Sequence, residues 1–181
     1  MAEPLHILWT IGHSTRPWPD FVALLREVDI EVLVDVRRFA GSRHNPQYSR
    51  DVLPAALTVA GIGYRALPAL GGRRRPAAGS VNLGWRVEAF RAYADHLASA
   101  EYRQGRAELM ALAQEKRACV MCAEAVWWRC HRRLIADDFT VRGWTVEHLM
   151  GPGKHMRHTL QPGALLVDDV LRYPGAPALS A

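Results

Sequence analysis

Short apolar runs alternate with amphipathic helical segments along most of the chain, and this alternation constrains the fold more than any other feature. Residues 7–11, 32–36 and 118–121 have the length and apolar character of buried strands. The first is followed by apolar side chains at helical spacing, namely Phe21, Leu24, Leu25 and Val28. Parallel neighbouring strands need crossover connections, which helices usually supply. We therefore predict an α/β fold with an open, mostly parallel sheet of about five to six strands and helices on both faces, a Rossmann-like three-layer architecture.

The remaining elements of the sheet follow weaker patterns. Further strands are expected at residues 64–67 and 144–149, with residues 165–167 as the sixth candidate. The glycine-rich segment 151–158 is predicted to be a basic connection. A helix is expected over about 49–60, with Pro54 either distorting it or marking a later start.

The size and composition indicate one globular domain over residues 1–181, since the chain is 49% hydrophobic and has 181 residues. No run approaches the 18 or more apolar residues of a membrane span. The first residues lack the basic and apolar regions of a secretory signal. Three cysteines, Cys119, Cys122 and Cys130, lie close together, which is unlike the disulfide framework of a secreted domain. We expect a cytoplasmic protein with reduced thiols and no membrane partner.

The positive charge favours an anionic partner. The net charge is +5 and the isoelectric point is about 9.5, so a phosphate-bearing small molecule or a nucleic acid is the expected ligand. A second interpretation is compositional: nearly all basic residues are arginine and alanine is abundant, as in proteins of a genome rich in G and C. Only position along the fold can separate the two interpretations.

The densest group of reactive side chains is the segment 122–133, which follows the strand at 118–121 and precedes a helical pattern. Other polar groups also come directly after predicted strands: His13 and Ser14, then Arg37, then Arg73. The carboxyl ends of parallel strands meet at one edge of a sheet, where α/β proteins bind ligands. We therefore expect these segments to converge on one crevice.

Cys130 is the candidate nucleophile, because arginines and His131 surround it near the start of a helix and such neighbours lower a thiol pKa. Glu124 and His131 are candidates for proton transfer. Cys122, at the end of a strand, is expected to support the site. Two other interpretations stay open: the thiols are buried packing groups, or they bind a metal with His13 or His131, although no short C-x-x-C spacing is present and no metal ligand is assigned.

A set of basic and polar residues is predicted to bind the anion. Its members are His13, Ser14, Arg37, Arg43, Arg73 and Arg132. Arginine suits this role because its planar guanidinium binds phosphate through two hydrogen bonds. Asp35 lies inside a strand and must be paired, with Arg37 two residues on as the nearest candidate. We expect Asp35 to support the site, and we leave Trp127 and Trp128 without a defined role.

Five ordered motifs carry a resemblance to a known family. They are Thr10–Ser14, Asp35–Arg37, Ser42–Tyr48, Leu70–Arg73 and the group Cys122–Glu124 with Cys130–Arg132. The chain resembles the family called domain of unknown function 488. The resemblance implies a compact α/β domain with a shared polar constellation and no settled activity. The chain departs from the family pattern at Phe39, Ala40 and Gly41, where a proline and another basic residue are usual.

The sequence thus predicts a domain that binds a nucleotide or nucleic acid at the carboxyl edge of its sheet, with an enzymatic role for the Cys, Glu, His and Arg side chains there. One alternative is a nucleic-acid-binding module without chemistry, and the other is a Cys/His metal-binding protein. The sequence identifies no cofactor, reaction class or oligomeric state.

Overall fold

A six-stranded sheet forms the centre of the molecule in the computed structural model, which describes residues 6–41 and 43–175. Its strands are β1 (Ile7–Gly12), β2 (Val32–Asp35), β3 (Gly63–Ala66), β4 (Ala118–Cys122), β5 (Thr145–Gly151) and β6 (Lys154–Arg157). The first five are parallel, and β6 runs antiparallel to β5. The spatial order is β3-β2-β4-β1-β5-β6. The predicted open, mostly parallel sheet is confirmed.

Helices cover both faces of this sheet. They are α1 (Trp18–Glu27), α2 (Leu53–Val59), α3 (Glu88–His96), α4 (Ala100–Glu115) and α5 (Arg132–Val141). The first two pack on one face around Leu33 and Cys119, and the other three pack on the opposite face around Val34 and Val120. This arrangement is the predicted three-layer architecture. No helix among the described residues has the length and apolar character needed to cross a membrane.

Residues 165–167 form a strand as predicted, but the expectation that it is the sixth strand of the main sheet was wrong. Residues 165–167 form β7 (Leu165–Val167), which pairs only with β8 (Val170–Arg172) in a separate two-stranded sheet. The sixth strand of the main sheet is β6, inside the predicted basic connection. All four side chains of β6 are exposed, because an edge strand that carries charged residues needs no apolar face. Gly153, with φ +61°, provides the tight turn that joins it to β5.

The helix predicted over 49–60 begins later, at Leu53. Pro54 lies in its first turn, where the missing N–H costs nothing. The three residues Pro46–Tyr48 form a short 3-10 helix before it. Pro54 therefore marks a late start and does not distort the helix.

The order of the strands places a crevice at the carboxyl ends of β1 and β4. The chain leaves β1 toward β2 and β3, whereas it leaves β4 in the opposite direction toward β5. Such a switch in direction opens a crevice between neighbouring strands. Backbone hydrogen bonds continue past the strand ends, from the His13 N–H to the Cys122 carbonyl (3.0 Å) and from the Ser14 N–H to the Ala123 carbonyl (3.0 Å). These bonds fix the position of the loop after β4 relative to β1.

Candidate functional site

A cavity of about 310 Å³ lies at this carboxyl edge. Buried side chains of Cys122, Cys130 and Tyr93 line its interior. Exposed side chains at its opening are those of Arg38, Phe39, Arg73, Glu124 and Arg129. The half-buried His131 also lines it. Four predicted site residues from the segment after β4, namely Cys122, Glu124, Cys130 and His131, therefore meet in one cavity.

Two of the three thiols lie side by side in this cavity. The Sγ atoms of Cys122 and Cys130 are 2.8 Å apart, and both residues are free cysteines. Cys122 is the last residue of β4, and Cys130 directly precedes His131, the N-cap of α5. Cys119 is buried with the apolar cluster on the other face of the sheet. Cys122 and Cys130 therefore share the cavity, and Cys119 packs elsewhere.

The surroundings of Cys130 favour its thiolate. Burial alone would raise the pKa of Cys130, but the hydrogen bond from the Cys122 thiol and the nearby His131 and Arg132 side chains hold that pKa well below its ordinary value. The Arg132 backbone N–H donates to Cys130 Sγ at 3.5 Å, and His131 Nδ1 lies 3.5 Å from the same sulfur. Burial raises the pKa of Cys122, and the neighbouring Cys130 raises it further. Cys130 is therefore the member of the pair that ionises.

Arg132 is fully buried, with 1% of its surface exposed, and pairs with no carboxylate among the described residues. Its guanidinium donates to the Glu124 carbonyl (2.8 Å), the Ala125 carbonyl (3.3 Å) and Thr10 Oγ1 (3.3 Å), while its Nε has no partner there. A buried positive charge is costly without a compensating anion. The charge of Arg132 is also one of the influences that lower the pKa of Cys130.

Gly12 makes this contact with Arg132 possible. A Cβ atom at this position would lie 1.8 Å from the Glu124 carbonyl oxygen and 2.9 Å from Arg132 Nη2. Only a residue without a side chain lets the backbone after β4 approach β1 so closely. The glycine thus holds the Glu124 carbonyl against the guanidinium.

Arg37 was predicted to bind the anion, and the structure places it at the cavity wall with its charge already neutralised. Its Nε and Nη2 donate to both carboxylate oxygens of Asp35, at 2.8 and 2.7 Å, and Nη2 also donates to the Tyr48 carbonyl. Its Nη1 donates to His13 Nε2 at 3.1 Å. Burial and the charge of Arg37 lower the pKa of His13 to about 4, so the imidazole is neutral at pH 7. Asp35, Arg37 and His13 therefore form one compact buried cluster beside the cavity.

Four of the six predicted ligand residues lie outside the cavity lining: His13 and Arg132 are buried, and the other two are Ser14 and Arg43. Ser14 is half-buried with φ 47°, and its backbone bonds to Ala123 and His13 hold the end of β1. Arg43 is exposed in the loop after β2. Arg73 lies at the opening of the cavity, as a ligand residue would. Ser42, part of a motif quoted above, lies outside the described residues.

A family model described as domain of unknown function DUF488 matches residues 17–139. The chain belongs to this family. The match includes Asp35, Arg37 and the segment that carries Cys122, Cys130 and Arg132, whereas the motif Thr10–Ser14 precedes it. No curated protein and no solved structure matches the chain.

The opening of the cavity in this DUF488 domain is basic and aromatic, and sequence reasoning missed most of it. The guanidiniums of Arg38 and Arg73 lie 5.6 and 5.8 Å from the ring centre of Phe39, which is 63% exposed. Neither these two arginines nor Arg129 pairs with a carboxylate in the part of the chain that the structure describes. The same three residues, 38, 39 and 73, also line a wider groove of about 630 Å³ with Arg75. The signal in the sequence was the pair Arg38-Phe39 directly after a buried strand.

In this DUF488 domain a buried chain of hydrogen bonds runs from Arg132 through Thr10 and His148 to Asp137, which lies on the same helix α5. Thr10 Oγ1 accepts from Arg132 and donates to His148 Nδ1 (2.6 Å), and His148 Nε2 donates to His158 Nδ1 (2.9 Å). His158 Nε2 then donates to Asp137 Oδ1 (2.7 Å). Burial lowers the pKa of His148 to about 2, so this imidazole is neutral. This series of buried hydrogen bonds fixes the position of the Arg132 guanidinium.

Trp127 has a structural position in this DUF488 domain. Its indole stacks on the His148 imidazole, with ring centres 4.4 Å apart and planes 6° from parallel. Trp128 is 41% exposed and meets Trp127 edge to face. Trp127 therefore covers the buried hydrogen-bond chain, and this contact gives it the role that the sequence left open.

No group of three or more His, Cys, Asp or Glu side chains within residues 6–41 and 43–175 of the DUF488 domain has an arrangement that could hold a metal ion. His131 is beside Cys130, but His13 accepts a hydrogen bond from Arg37. The metal interpretation has no ligand set in this region, and we do not carry it forward.

Proposed function

We propose that this DUF488 domain binds a phosphate-bearing ligand, a nucleotide or a nucleic-acid strand, at the basic opening of the cavity, and that Cys130 acts on it as a nucleophile. One observation carries the proposal. Cys130 lies in a cavity at the start of α5, next to a buried arginine that no described carboxylate neutralises. Helix N-termini and adjacent cations are the features that activate cysteine nucleophiles.

The anion would bind to the arginines at the opening. Arg38, Arg73 and Arg129 are exposed and lack carboxylate partners among the described residues, so their guanidiniums are available for bidentate phosphate contacts. Phe39 offers an exposed ring on which a base can stack. A volume of about 310 Å³ is at the lower end of the range for small-molecule sites. A single nucleotide unit matches these features better than a large ligand does.

The side chains around Cys130 supply proton transfer for a nucleophilic step. The Cys130 thiolate would attack an electrophilic atom of the ligand, and the displaced group would leave with a proton. His131 is 3.5 Å from the sulfur, and its buried Nε2 has no partner among the described residues. Glu124 is exposed at the opening and can exchange protons with water. Arg132, Arg37, Asp35, His13, Ser14 and Cys122 support these groups.

One observation favours a second candidate function, a nucleic-acid-binding module without chemistry. The cavity and the wider groove share Arg38, Phe39 and Arg73, so a basic surface continues past the cavity. Such a surface could hold several consecutive phosphates, and its affinity would depend steeply on salt. This function needs no reactive thiol.

Binding of fluorescein-labelled oligothymidylate and of AMP tests the anion site. We expect Arg73→Ala to weaken binding by about 10-fold or more, the loss of one charge-assisted contact, and to reduce the salt slope for the oligonucleotide by about one. Arg103→Ala is the matched control, because Arg103 is exposed on α4 and lines neither cavity. Equal affinities for the two variants would contradict the proposed site.

Alkylation with iodoacetamide separates the two candidate functions. If ligands enter the cavity, saturating AMP or oligothymidylate should slow alkylation of Cys130 by about fivefold or more, because the bound group excludes the reagent. Cys119 serves as the internal control, since it packs on the other face of the sheet. An oligonucleotide that binds without protecting Cys130 would favour the binding module and contradict the nucleophilic role.

A further inference from the structure

We propose that hydroperoxides convert Cys122 and Cys130 into a reversible intramolecular disulfide, with Cys130 as the thiol that is oxidised first and Cys122 as the thiol that then attacks the oxidised sulfur. The inference rests on the proposed function in one respect, the reactivity of Cys130. It adds a site of oxidation and a partner thiol, and it assigns Cys122 a chemical role beyond support.

The geometry of the pair carries the inference. The two Sγ atoms are 2.8 Å apart, and both side chains line the cavity through which a small peroxide can reach them. The residues belong to different elements, the end of β4 and the start of α5, and the loop 123–129 joins them. Cys119 has no such neighbour, because the other face of the sheet buries it.

The two thiols have unequal surroundings, as a two-step oxidation requires. The Arg132 N–H and the His131 imidazole both contact Cys130 Sγ, at 3.5 Å each. The Cys122 thiol lies instead against the Glu124 carbonyl, at 3.8 Å. A thiolate reacts with peroxide and a neutral thiol does not. Cys130 is therefore oxidised first, and Cys122 stays available for the second step.

The first step forms a sulfenic acid. The Cys130 thiolate attacks one oxygen of hydrogen peroxide, the O–O bond breaks, and hydroxide leaves and takes up a proton to become water. In the second step the Cys122 sulfur attacks the Cys130 sulfur, the S–O bond breaks, and the Cys122 proton passes to the departing oxygen as a second water. Two thiols have lost two electrons, and one peroxide has gained them. A dithiol reductant reverses the change by thiol–disulfide exchange.

The disulfide would disable the proposed nucleophile. It consumes the Cys130 thiolate. The cavity would then still carry its basic opening, because Arg38, Arg73 and Arg129 are not affected. We therefore expect the oxidised protein to retain oligonucleotide binding within about twofold and to lose alkylation of Cys130.

Peptide mapping of the full chain tests the inference. Trypsin cleaves after Arg117, Arg129 and Arg132, so Cys122 and Cys130 fall on different peptides. After treatment with one equivalent of hydrogen peroxide, we expect a disulfide that links residues 118–129 to residues 130–132. Dithiothreitol should reduce this disulfide and restore alkylation of Cys130. The Cys119→Ala variant should give the same link, which excludes Cys119 as the partner.

The Cys122→Ser variant tests the resolving role directly. With the resolving thiol removed, the sulfenic acid on Cys130 should persist and be trapped by dimedone, with at least a fivefold increase in trapped product over the unmodified chain. If the Cys122→Ser variant does not fold, peptide mapping of the Cys119→Ala variant remains as the test. If Cys130 is alkylated readily but peroxide gives no linked peptide in that chain, the inference is wrong and the proposed function stands. If Cys130 is not alkylated at all, the result contradicts the proposed function itself.

Discussion

Replacement of Gly12 by alanine should disrupt the site by displacing its backbone. The new Cβ would lie 1.8 Å from the Glu124 carbonyl oxygen, so one of the two segments must move by roughly 1.5 Å to reach ordinary contact. Overpacking of this kind costs about 1–3 kcal/mol. The same movement breaks the hydrogen bond from Arg132 Nη2 to that carbonyl (2.8 Å), and loss of a charged hydrogen bond costs about 1.5–3 kcal/mol. The expected loss of stability is about 2.5–6 kcal/mol.

Urea unfolding at pH 7 measures this loss. Gly151→Ala is the matched control, because Gly151 also ends a strand of the sheet and a Cβ there meets no atom within 4 Å. The rate of Cys130 alkylation in folded protein is a second readout, because displacement of the Glu124 carbonyl moves Arg132 from its position beside Cys130. A Gly12→Ala variant as stable as Gly151→Ala, within about 0.5 kcal/mol, would refute the reasoning about close approach.

Two further predictions concern the buried cluster beside the cavity. Asp35→Asn should destabilise the fold by about 3–5 kcal/mol, because it leaves the Arg37 guanidinium, 6% exposed, without its counter-charge. The control is Asp51→Asn at an exposed position, which should change the free energy of unfolding by under about 0.5 kcal/mol in the same urea experiment. Stability should also fall as the pH is lowered from 6.5 toward 4, because burial lowers the pKa of His13 to about 4 and that of His148 to about 2, so the unfolded chain binds more protons in this window. His13→Gln should reduce the slope near pH 5 by about 1 kcal/mol per pH unit, and an unchanged slope would show that His13 is not buried in its neutral form.

The sequence was sufficient to predict the parallel part of the sheet and the meeting of its carboxyl ends. Buried parallel strands are continuous apolar runs, and β2 and β4 have this pattern without ambiguity. Cys122 ends β4, and Glu124, Cys130 and His131 follow within nine residues, so the position of one strand end placed all four. Their shared cavity follows from chain connectivity alone.

Other parts of the site depend on the order of the strands, which no local pattern reveals. Thr10 and His148 face each other because β1 pairs with β5, and only that register builds the buried hydrogen-bond chain. The contact of Arg73 with Phe39 depends on a loop in which Arg73 has φ +57°, a conformation that the sequence does not mark. The edge strand β6 escaped prediction because an exposed strand carries no apolar alternation.

The ionisation of Cys130 is the central claim, and the pH dependence of its alkylation tests it most directly. In folded protein, the midpoint of the iodoacetamide rate against pH should lie well below the midpoint for the unfolded chain, because the hydrogen bond from Cys122 and the nearby His131 and Arg132 side chains lower the pKa of Cys130 against the effect of burial. In the urea-unfolded chain, the rate should fall about 10-fold for each pH unit below the ordinary thiol pKa of about 8.5. A folded-state profile that follows the unfolded one would contradict the account.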